Sequence, residues 1–443
     1  MKAIGKLAVV FLFMTLTIAS SAQSAFPDGT AISLLQWRHF VPRHDEWFDG
    51  YAAEWGAVNN VAVQIDRVNF AELPATLAAE LEAGAGHTII ELISSSAAFV
   101  EGLHDLSDIN QRALDLYGEQ LQHCRNGSYL PALGVYFSFA HGYFFNHGNY
   151  DIALWTQAGF PKGPQTYADL LAGGRAIYEV TGIPLGIGLS PEIDSEMALR
   201  ELLWSFGGSI QDENENVTLD SAATIAAVSY MAQLQQQAMT AEVFGWTGAS
   251  NNQALIAGEV SFILNPDSAY RSLQNVDEAG AANIGFTPGL AGPAGAIAGS
   301  FINSSVIPAY VSGDELRAAK QFILDLSADY SDATYHSELF NLPCFPAAVS
   351  ELDTWLESDP FGSVPADKFA VLKPALEGLA TLGYPGPSNP AIGQAYGEHI
   401  IPNMFAQVAL GATNAEEAVA QAAQRVEEIF TRWREKGLIG GGQ

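Results

Sequence analysis

The sequence predicts an α/β protein with two sheet units, each built mainly of parallel strands that helices cover. Strand-like and helix-like segments alternate over residues 31–93. The same alternation returns between about residues 140 and 296. Hydrophobic residues make up 48% of the chain and charged residues only 15%, so the side chains for a large core are present and disorder is not expected.

The N-terminal residues are typical of a secretory signal peptide. Lys2 and Lys6 precede an almost unbroken apolar run over residues 7–18, and the small residues 19–22 follow it. This order predicts cleavage after Ala22, which removes residues 1–22. An uncleaved anchor helix is the alternative, but the run is short for a membrane span. No cysteine stands at the cleavage site to carry a lipid, so we expect a soluble exported protein.

The first unit is predicted to alternate strand, helix, strand, helix, strand. The predicted segments, in order, lie at 31–37, 46–55, 61–65, 73–83 and 88–93. Gly84 and Gly86 end the second helix. Ligands of parallel sheets bind beyond the carboxyl ends of the strands. We therefore expect the loops at 38–44 and 94–97 to face a ligand.

The second unit and the C-terminal part are richer in helix. Residues 129–145 are apolar, aromatic and predicted to be extended, whereas residues 285–299 contain five glycines and two prolines and are predicted to form an exposed connector. Thr166 is a good N-cap for the helix that it precedes. The other predictions are strands at 184–189, 260–264 and 305–310, and helices at 152–158, 167–181, 195–206, 221–238, 253–258, 314–328, 331–338, 366–382, 398–410 and 415–436.

The charge of the chain excludes two classes of partner. There are 49 acidic and 19 basic side chains, which gives a formal net charge of −30. Nucleic acid needs clustered Lys and Arg to neutralise its phosphates, and an anionic membrane surface needs the same. We expect neither partner. The acidity is compatible with a saline habitat or simply with a soluble surface, and it does not identify a ligand.

The two cysteines are Cys124 and Cys344. In an oxidising compartment an even pair is able to form a disulfide. The alternative is two separate buried thiols, and sequence spacing does not decide between these possibilities because disulfide formation depends on geometry.

Several segments, taken in order along the chain, resemble family 1 of the bacterial extracellular solute-binding proteins. Residues 153–161, Ala-Leu-Trp-Thr-Gln-Ala-Gly-Phe-Pro, and 165–170, Gln-Thr-Tyr-Ala-Asp-Leu, are similar to a segment of that family in which Trp and Glu stand for Tyr167 and Asp169. The helix ending in Gly-Gly at 202–208, the helix and strand at 253–262, and the finish at 409–418 are similar as well. Thr88 departs from the pattern, because the family often has Asp there. The likeness covers nearly the whole mature chain.

This resemblance implies a two-lobed periplasmic-binding-protein fold whose lobes are joined by hinge strands that cross more than once. It assigns residues 27–137 and 302–350 to the first lobe, and residues 138–301 and 351–443 to the second. The lobes of such proteins close on a ligand, and a membrane permease of an ABC importer receives the closed form. A periplasmic monomer that binds a small molecule and needs no cofactor is therefore expected.

Motifs that would indicate an enzyme are absent from the sequence. There is no His-Glu-x-x-His, no Gly-x-Ser-x-Gly and no Gly-x4-Gly-Lys. His39 and His44 share one loop, but such a pair more often lies at the surface or contacts a ligand than binds a metal. A secreted polysaccharide hydrolase or lyase stays open as the alternative, because paired carboxylates are not recognisable among 49 acids.

The candidate ligand contacts are aromatic and hydrogen-bonding side chains in loops, which suit a sugar because its C–H faces lie on rings while its hydroxyls need partners. Some follow from the strand-end rule, and those at 265–267, 299–303 and 341–345 follow from the resemblance. Each aromatic residue also has an interpretation as core, and Asp267 as a helix N-cap. The candidates are Trp37, His39, Phe40, Ser95, Tyr136, Trp204, Trp246, Asn265, Asp267, Tyr270, Ser300, Asn303 and Phe345.

A carbohydrate or polyol is the expected ligand, and two other ligand classes stay open. A quaternary amine fits an aromatic cage that contains an acidic residue. A carboxylated solute fits Arg38 and Arg43 in the first strand-end loop, because arginine binds carboxylates with two hydrogen bonds.

Overall fold

The computed structural model describes residues 25–94 and 96–441. The predicted signal peptide and the candidate Ser95 lie outside the described residues. The strands, in chain order, are β1 Ala31–Trp37, β2 Ala62–Val68, β3 Ile89–Ile93, β4 Tyr129–Leu130, β5 Val135–Tyr136, β6 Phe139–Phe145, β7 His147–Asp151, β8 Phe262–Asn265, β9 Ile284–Thr287, β10 Ala291–Gly292, β11 Gly295–Ala296, β12 Ser300–Val306 and β13 Leu342–Pro343.

Helices make up most of the regular structure. The α-helices are α1 Pro42–Asn59, α2 Leu73–Ala83, α3 Ser107–Tyr117, α4 Gln122–Ser128, α5 Ile152–Gln157, α6 Tyr167–Thr181, α7 Ile193–Ser205, α8 Ala222–Ala238, α9 Ser250–Ile256, α10 Ser268–Val276, α11 Glu278–Ala282, α12 Gly313–Ala328, α13 Tyr330–His336, α14 Leu352–Glu357, α15 Lys373–Leu376, α16 Pro390–Gly397, α17 Ile400–Ala409 and α18 Ala415–Glu435. The 3-10 helices are Phe70–Glu72, Ser96–Gly102, Ala241–Gly245, Pro346–Ala348 and Lys368–Leu372.

The first lobe is built on a six-stranded sheet with the order β13-β6-β12-β3-β1-β2. Strand β1 pairs in parallel with β2 and β3, so that Leu34 has Ile65 on one side and Ile89 on the other. Strand β12 runs antiparallel to both of its neighbours, β3 and β6. All five residues of β3 are buried, as a central strand covered on both faces requires.

The second lobe is built on a smaller sheet with the order β8-β7-β9. Strand β7 pairs antiparallel with β8 and with β9, so β8 and β9 share one direction. Gly186 adds a parallel bridge to Ile263 of β8. In each sheet, the strand that enters from the other lobe is therefore antiparallel to both of its neighbours. This strand is β12 in the first sheet and β7 in the second. The predicted α/β class is confirmed.

Three chain segments lie side by side where the two lobes meet, and we call them the hinge. The first passes through Asn146, between β6 and β7, and its N–H donates to the Gly299 carbonyl at 2.9 Å. The second leads through Gly299 into β12. The third passes Ala380, whose carbonyl accepts from the Ser300 N–H at 2.6 Å. The Glu201 carboxylate on α7 accepts from the Gly299 N–H at 2.5 Å and from the Asn146 amide at 3.4 Å, which ties two of these segments to the second lobe.

The structure corrects several predicted elements. Helix α1 begins at Pro42, because proline is well placed in the first turn of a helix. The predicted loop at 38–44 is therefore shorter than expected and ends before Pro42. The predicted connector at 285–299 contains the buried end of β9 and the β10–β11 hairpin. The predicted strand at 305–310 is β12, which starts at Ser300, and the predicted strand at 184–189 is only a single bridge. The predicted helix at 366–382 is a 3-10 turn followed by the one-turn α15.

Cys124 and Cys344 form a disulfide, with their Cα atoms 5.8 Å apart and 220 residues between them in sequence. Both residues are fully buried in the first lobe, where Cys124 lies on α4 and Cys344 follows β13. The sequence left open whether the two cysteines are bridged or free, and the structure shows that they form a disulfide.

Candidate ligand-binding site

A cavity of about 1030 Å³ lies between the two lobes. The first lobe lines it with Phe40 after β1, with the residues that lead into α2, and with Ile93 and Phe99 at and after the end of β3. These are carboxyl ends of parallel strands, where ligands of α/β sheets bind. The second lobe contributes the loop before α7, the loop at 244–249 and the end of α16.

Aromatic rings from both lobes face this cavity. The first lobe supplies three and the second supplies four: Phe40, Phe70 and Phe99, and Phe244, Trp246, Tyr396 and Trp433. The Phe40 and Phe70 rings are 5.8 Å apart in an edge-to-face arrangement, and the Trp433 Nε1 donates to Gln394 at 2.9 Å. Rings held in this way offer rigid apolar platforms to a ligand.

The loop that carries Trp246 is fixed by the chain around it. Ser190 Oγ donates to the Trp246 carbonyl at 2.6 Å, which joins the two loops of the second-lobe wall. Trp246 itself is half-buried. Gly248 is followed closely by α9, and a Cβ on it would lie 2.6 Å from the Phe70 ring. The two lobes thus approach each other closely at this side of the cavity.

A recess of about 10 Å³ adjoins the cavity and shares Phe40, Phe70 and Ile193 with its lining. Its apolar walls include the rings of Trp37, Phe144 and Phe340, and Phe144 lies 4.9 Å from Phe340. Its polar groups are Asp194, Asn252, Asn265 and Ser268. The last three bind one another, because Asn265 Nδ2 donates to Asn252 Oδ1 at 2.7 Å and to Ser268 Oγ at 3.2 Å.

Asp194 differs from these three groups because one of its oxygens is shielded and has no hydrogen-bond partner among the described residues. Its Oδ2 has almost no exposed surface and no hydrogen-bond partner in the part of the chain that the structure describes. Burial raises the pKa of Asp194 well above its usual range, the charge of Glu192 raises it further, and the Asn251 amide lowers it in part. The recess therefore contains a carboxyl oxygen that no described residue satisfies, and a cation placed beside it would offset the cost of its buried charge.

Glu192 also lines the cavity, but its carboxylate is occupied. It accepts from the N–H groups of Asp194 at 2.7 Å and Ser195 at 2.6 Å, and so caps the N-terminus of α7. Burial is the main cause that raises its pKa. The interaction with the positive end of the helix dipole explains why a carboxylate is placed here.

Charged groups at the far end of the cavity pair with each other. Glu398 binds Arg425 through two contacts of 2.8 Å, and His399 Nδ1 lies 3.3 Å from Glu196 Oε1. His399 has φ +52°, in the left-handed region that few residues other than glycine adopt. Of the described residues that line the cavity and the recess, none is Lys or Arg.

Four of the sequence-predicted candidates lie at this site. Phe40 and Trp246 line the main cavity, Trp37 and Asn265 line the recess, and Phe40 borders both. The structure brings together residues that are more than 200 positions apart in sequence, as a cleft between lobes requires.

The other described candidates are placed elsewhere, in contacts with the protein itself. His39 stacks on His44 at 4.4 Å, and both its Nε2 and the Asn303 amide face Asn341 Oδ1. Tyr136 lies beside Tyr129 in the β4–β5 pair. The remaining five are buried against these partners: Trp204 on Tyr384, Asp267 on Arg271, Tyr270 on Ser363, Ser300 on the Ala380 carbonyl and Phe345 on Phe139.

The two arginines that motivated a carboxylated ligand do not line the cavity. Arg43 lies 4.8 Å above the Tyr335 ring, and Arg38 is exposed after β1. Without them the described walls contain no basic group except His399.

Sequence reasoning missed Phe70, Phe99, Glu192, Asp194, Tyr396 and Trp433. Phe70 follows the carboxyl end of β2, so the strand-end rule applied to that strand would have found it. Asp194 and Tyr396 lie on helices and had no local signal.

The structure also bears on metals and membranes. Within residues 25–94 and 96–441, no three His, Cys, Asp or Glu side chains come together in a way that could hold a metal ion. In the same part of the chain, no helix combines the length and the apolar character that crossing a bilayer demands.

A family model described as bacterial extracellular solute-binding protein matches residues 50–361. No curated protein sequence matches the chain.

Solved structures share its fold at low sequence identity. Maltose-bound MalE3 of T. maritima has a TM-score of 0.76 and 20% identity, with 90% of this chain and 100% of that chain covered. The GacH receptor of Streptomyces glaucescens, solved unliganded and with acarbose, has a TM-score of 0.72 and 20% identity over 91% and 99% of the two chains. An ABC-transporter solute-binding protein of Agrobacterium radiobacter K84 in complex with ribitol has a TM-score of 0.74 and 16% identity over 92% and 100%.

Proposed function

Because the chain belongs to the bacterial extracellular solute-binding proteins, we propose that it captures a carbohydrate or polyol in the cavity between its lobes and delivers it to an ABC importer. The observation that carries this proposal is the cavity of about 1030 Å³, which both lobes line with aromatic rings. Its volume is at the upper end of the roughly 300–1,000 Å³ that ligand pockets occupy, so an oligosaccharide fits it better than a single ring.

The walls have the chemistry that sugars require. The apolar faces of sugar rings stack on aromatic side chains, and Phe40, Phe70 and Trp246 approach from opposite lobes. Hydroxyl groups need donors and acceptors, and Asn69, Ser190 and Gln394 supply them along the same walls. Three of the similar structures are named for complexes with maltose, acarbose and ribitol, which supports this class of ligand.

Closure of the lobes about the hinge is part of the proposal. A ligand that contacts both walls binds the closed arrangement better than the open one, and it shifts the population by that difference in affinity. The hinge is narrow, since the segments at Asn146, Gly299 and Ala380 lie side by side. A permease then distinguishes the closed form, and a monomer in the periplasm suits this role.

We propose binding without catalysis. The matched family and the similar structures are described as binding proteins. The carboxylates of the cavity walls are already engaged in capping or in an ion pair, except for that of Asp194.

The proposal is tested by thermal unfolding of the mature protein with mono-, di- and trisaccharides and polyols. A ligand at 100 times its dissociation constant should add about 2.7 kcal/mol to the free energy of unfolding, which is a clear rise in melting temperature. Trp246→Ala should weaken binding of the same ligand by roughly 10- to 100-fold, because it removes an aromatic anchor.

Trp355→Ala is the matched control, since Trp355 packs on Tyr335 and does not line the cavity. It should leave the dissociation constant unchanged. The proposal fails if no member of the panel raises the melting temperature, or if the compound that does so is converted to another product.

A further inference from the structure

We propose that the solute carries a protonated primary amine, and that this ammonium group binds Asp194 Oδ2 in the recess. The inference rests on the proposed function and adds the charge of the ligand to it. It follows from three properties of the recess: its size, its rings and its unpaired acceptor.

The recess accepts a group no larger than a water molecule. Its volume of about 10 Å³ is at the lower limit for holding one water. A primary ammonium group is of this size, whereas a trimethylammonium group or an acetamido group is too large. The bulk of the solute then stays in the main cavity, between Phe40 and Trp246.

Aromatic rings surround the recess. Phe40 lies 5.5 Å from Trp37 and 6.5 Å from Phe340, and Phe70 and Phe144 complete the wall. The faces of such rings attract a cation, most strongly where water is excluded. A neutral hydroxyl gains no comparable attraction from them.

The electrostatics of the walls also favour a cation. Asp194 and Glu192 are adjacent carboxylates, and the described walls contain no Lys or Arg that neutralises them. The nearby Arg200 is 2.9 Å from Glu196, and His399 faces that same carboxylate. Asp194 Oδ2 is therefore the acceptor in the recess that is left for a ligand, and a charged donor forms the stronger hydrogen bond with it.

The test compares solutes that differ only in one substituent. Glucose is paired with glucosamine, sorbitol with glucamine, and cellobiose with the β-1,4 dimer of glucosamine, and the N-acetylated forms of the amino sugars are added. Affinities are measured by calorimetry at neutral pH. We expect at least one amine to bind about 10-fold or more tightly than its hydroxyl partner and its acetylated form.

Asp194→Asn should then weaken binding of that amine by about 10- to 100-fold while the hydroxyl partner changes far less, because the amide keeps the size and loses the charge. Glu259→Gln, an exposed site outside the cavity, is the control for the change in net charge. The melting temperature without ligand shows that both variants fold.

Two outcomes would overturn the inference. If the hydroxyl compounds bind as well as the amines, or if D194N leaves the preference intact, the proposed function stands and the ammonium site does not exist. If no compound of either set binds, the proposed function fails together with the inference.

Discussion

At the scale of single residues, His147 shows how burial controls charge near the hinge. The residue begins β7, is 2% exposed, and its ring lies 4.7 Å from that of Phe286 in an edge-to-face contact. Burial lowers the pKa of His147 from 6.5 to about 3. The folded protein therefore holds the ring neutral at a pH where the unfolded chain binds a proton.

This difference predicts a loss of stability in acid. Between pH 6.5 and 3 the unfolded state binds more protons at this residue, so the free energy of unfolding falls as the pH falls. Each pH unit in that window costs up to about 1.4 kcal/mol. In His147→Phe the slope should be shallower by up to this amount, as urea unfolding at several pH values would show. Equal slopes in the two proteins would contradict the assignment.

From the sequence, a residue could be placed at the cavity only where a local signal exists. Trp246 was selected because glycines flank it, and it lines the cavity. Asp194 was one of 49 acidic residues with nothing in its neighbourhood to distinguish it. Only the fold shows that its Oδ2 lacks a partner in the described part of the chain. His39 had the expected chemistry and loop position, but it faces Asn341 instead, as does Asn303 of β12.

At the scale of elements, helix α16 makes a direct contact between the lobes. Its Gly393 packs on the 3-10 helix Ser96–Gly102 of the first lobe, and a Cβ at this position would lie 2.7 Å from the Ala98 nitrogen. Backbone cannot yield as a flexible side chain does. The close approach of these two elements therefore depends on glycine.

Gly393→Ala should push α16 away from the first lobe and hold the cleft more open. We expect weaker ligand binding and a larger radius of gyration for the ligand-bound protein, measured by small-angle scattering. Gly50→Ala on α1 is the control, because a Cβ there meets nothing within 4 Å. It should leave binding unchanged and stabilise the helix by roughly 0.5–1 kcal/mol. Unchanged affinity and scattering in Gly393→Ala would show that the contact does not govern closure.

The success of element prediction also followed the strength of local signals. Helix α6 has its predicted bounds because Thr166 and Asp169 form a capping box and Gly182 ends the helix. In the predicted helix at 366–382, Lys368 instead turns inward within a 3-10 helix, where its Nζ donates to the Ala281 and Ile284 carbonyls at 3.0 and 2.6 Å. Such a contact joins distant parts of the chain and leaves no trace in periodicity.

At the scale of the whole molecule, the disulfide constrains the unfolded chain over the segment that contains β7 to β12. It closes a loop with a sequence separation of 220 residues. The chain-entropy model gives roughly 5 kcal/mol of stabilisation for a loop of this length. The bridge lies in the core of the first lobe and does not line the cavity.

Replacing both Cys124 and Cys344 by serine should therefore lower the free energy of unfolding by up to about 5 kcal/mol without changing the dissociation constant of the ligand. Denaturant unfolding and calorimetry measure the two quantities separately. Both cysteines are replaced because a substitution of only one would leave the other as a free thiol. A large loss of affinity at a temperature where the variant is fully folded would show that the bridge also shapes the cleft.

The strand order of the first sheet has a consequence for how the molecule is made. β12 lies between β3 and β6, and those two strands have no pairing with each other. A chain that emerges from a ribosome or a translocation pore amino end first presents β3 and β6 long before residues 300–306 arrive to join them. Until then both strands keep an open edge, which is a hazard for aggregation. Completion of the first lobe thus waits until most of the second has been synthesised.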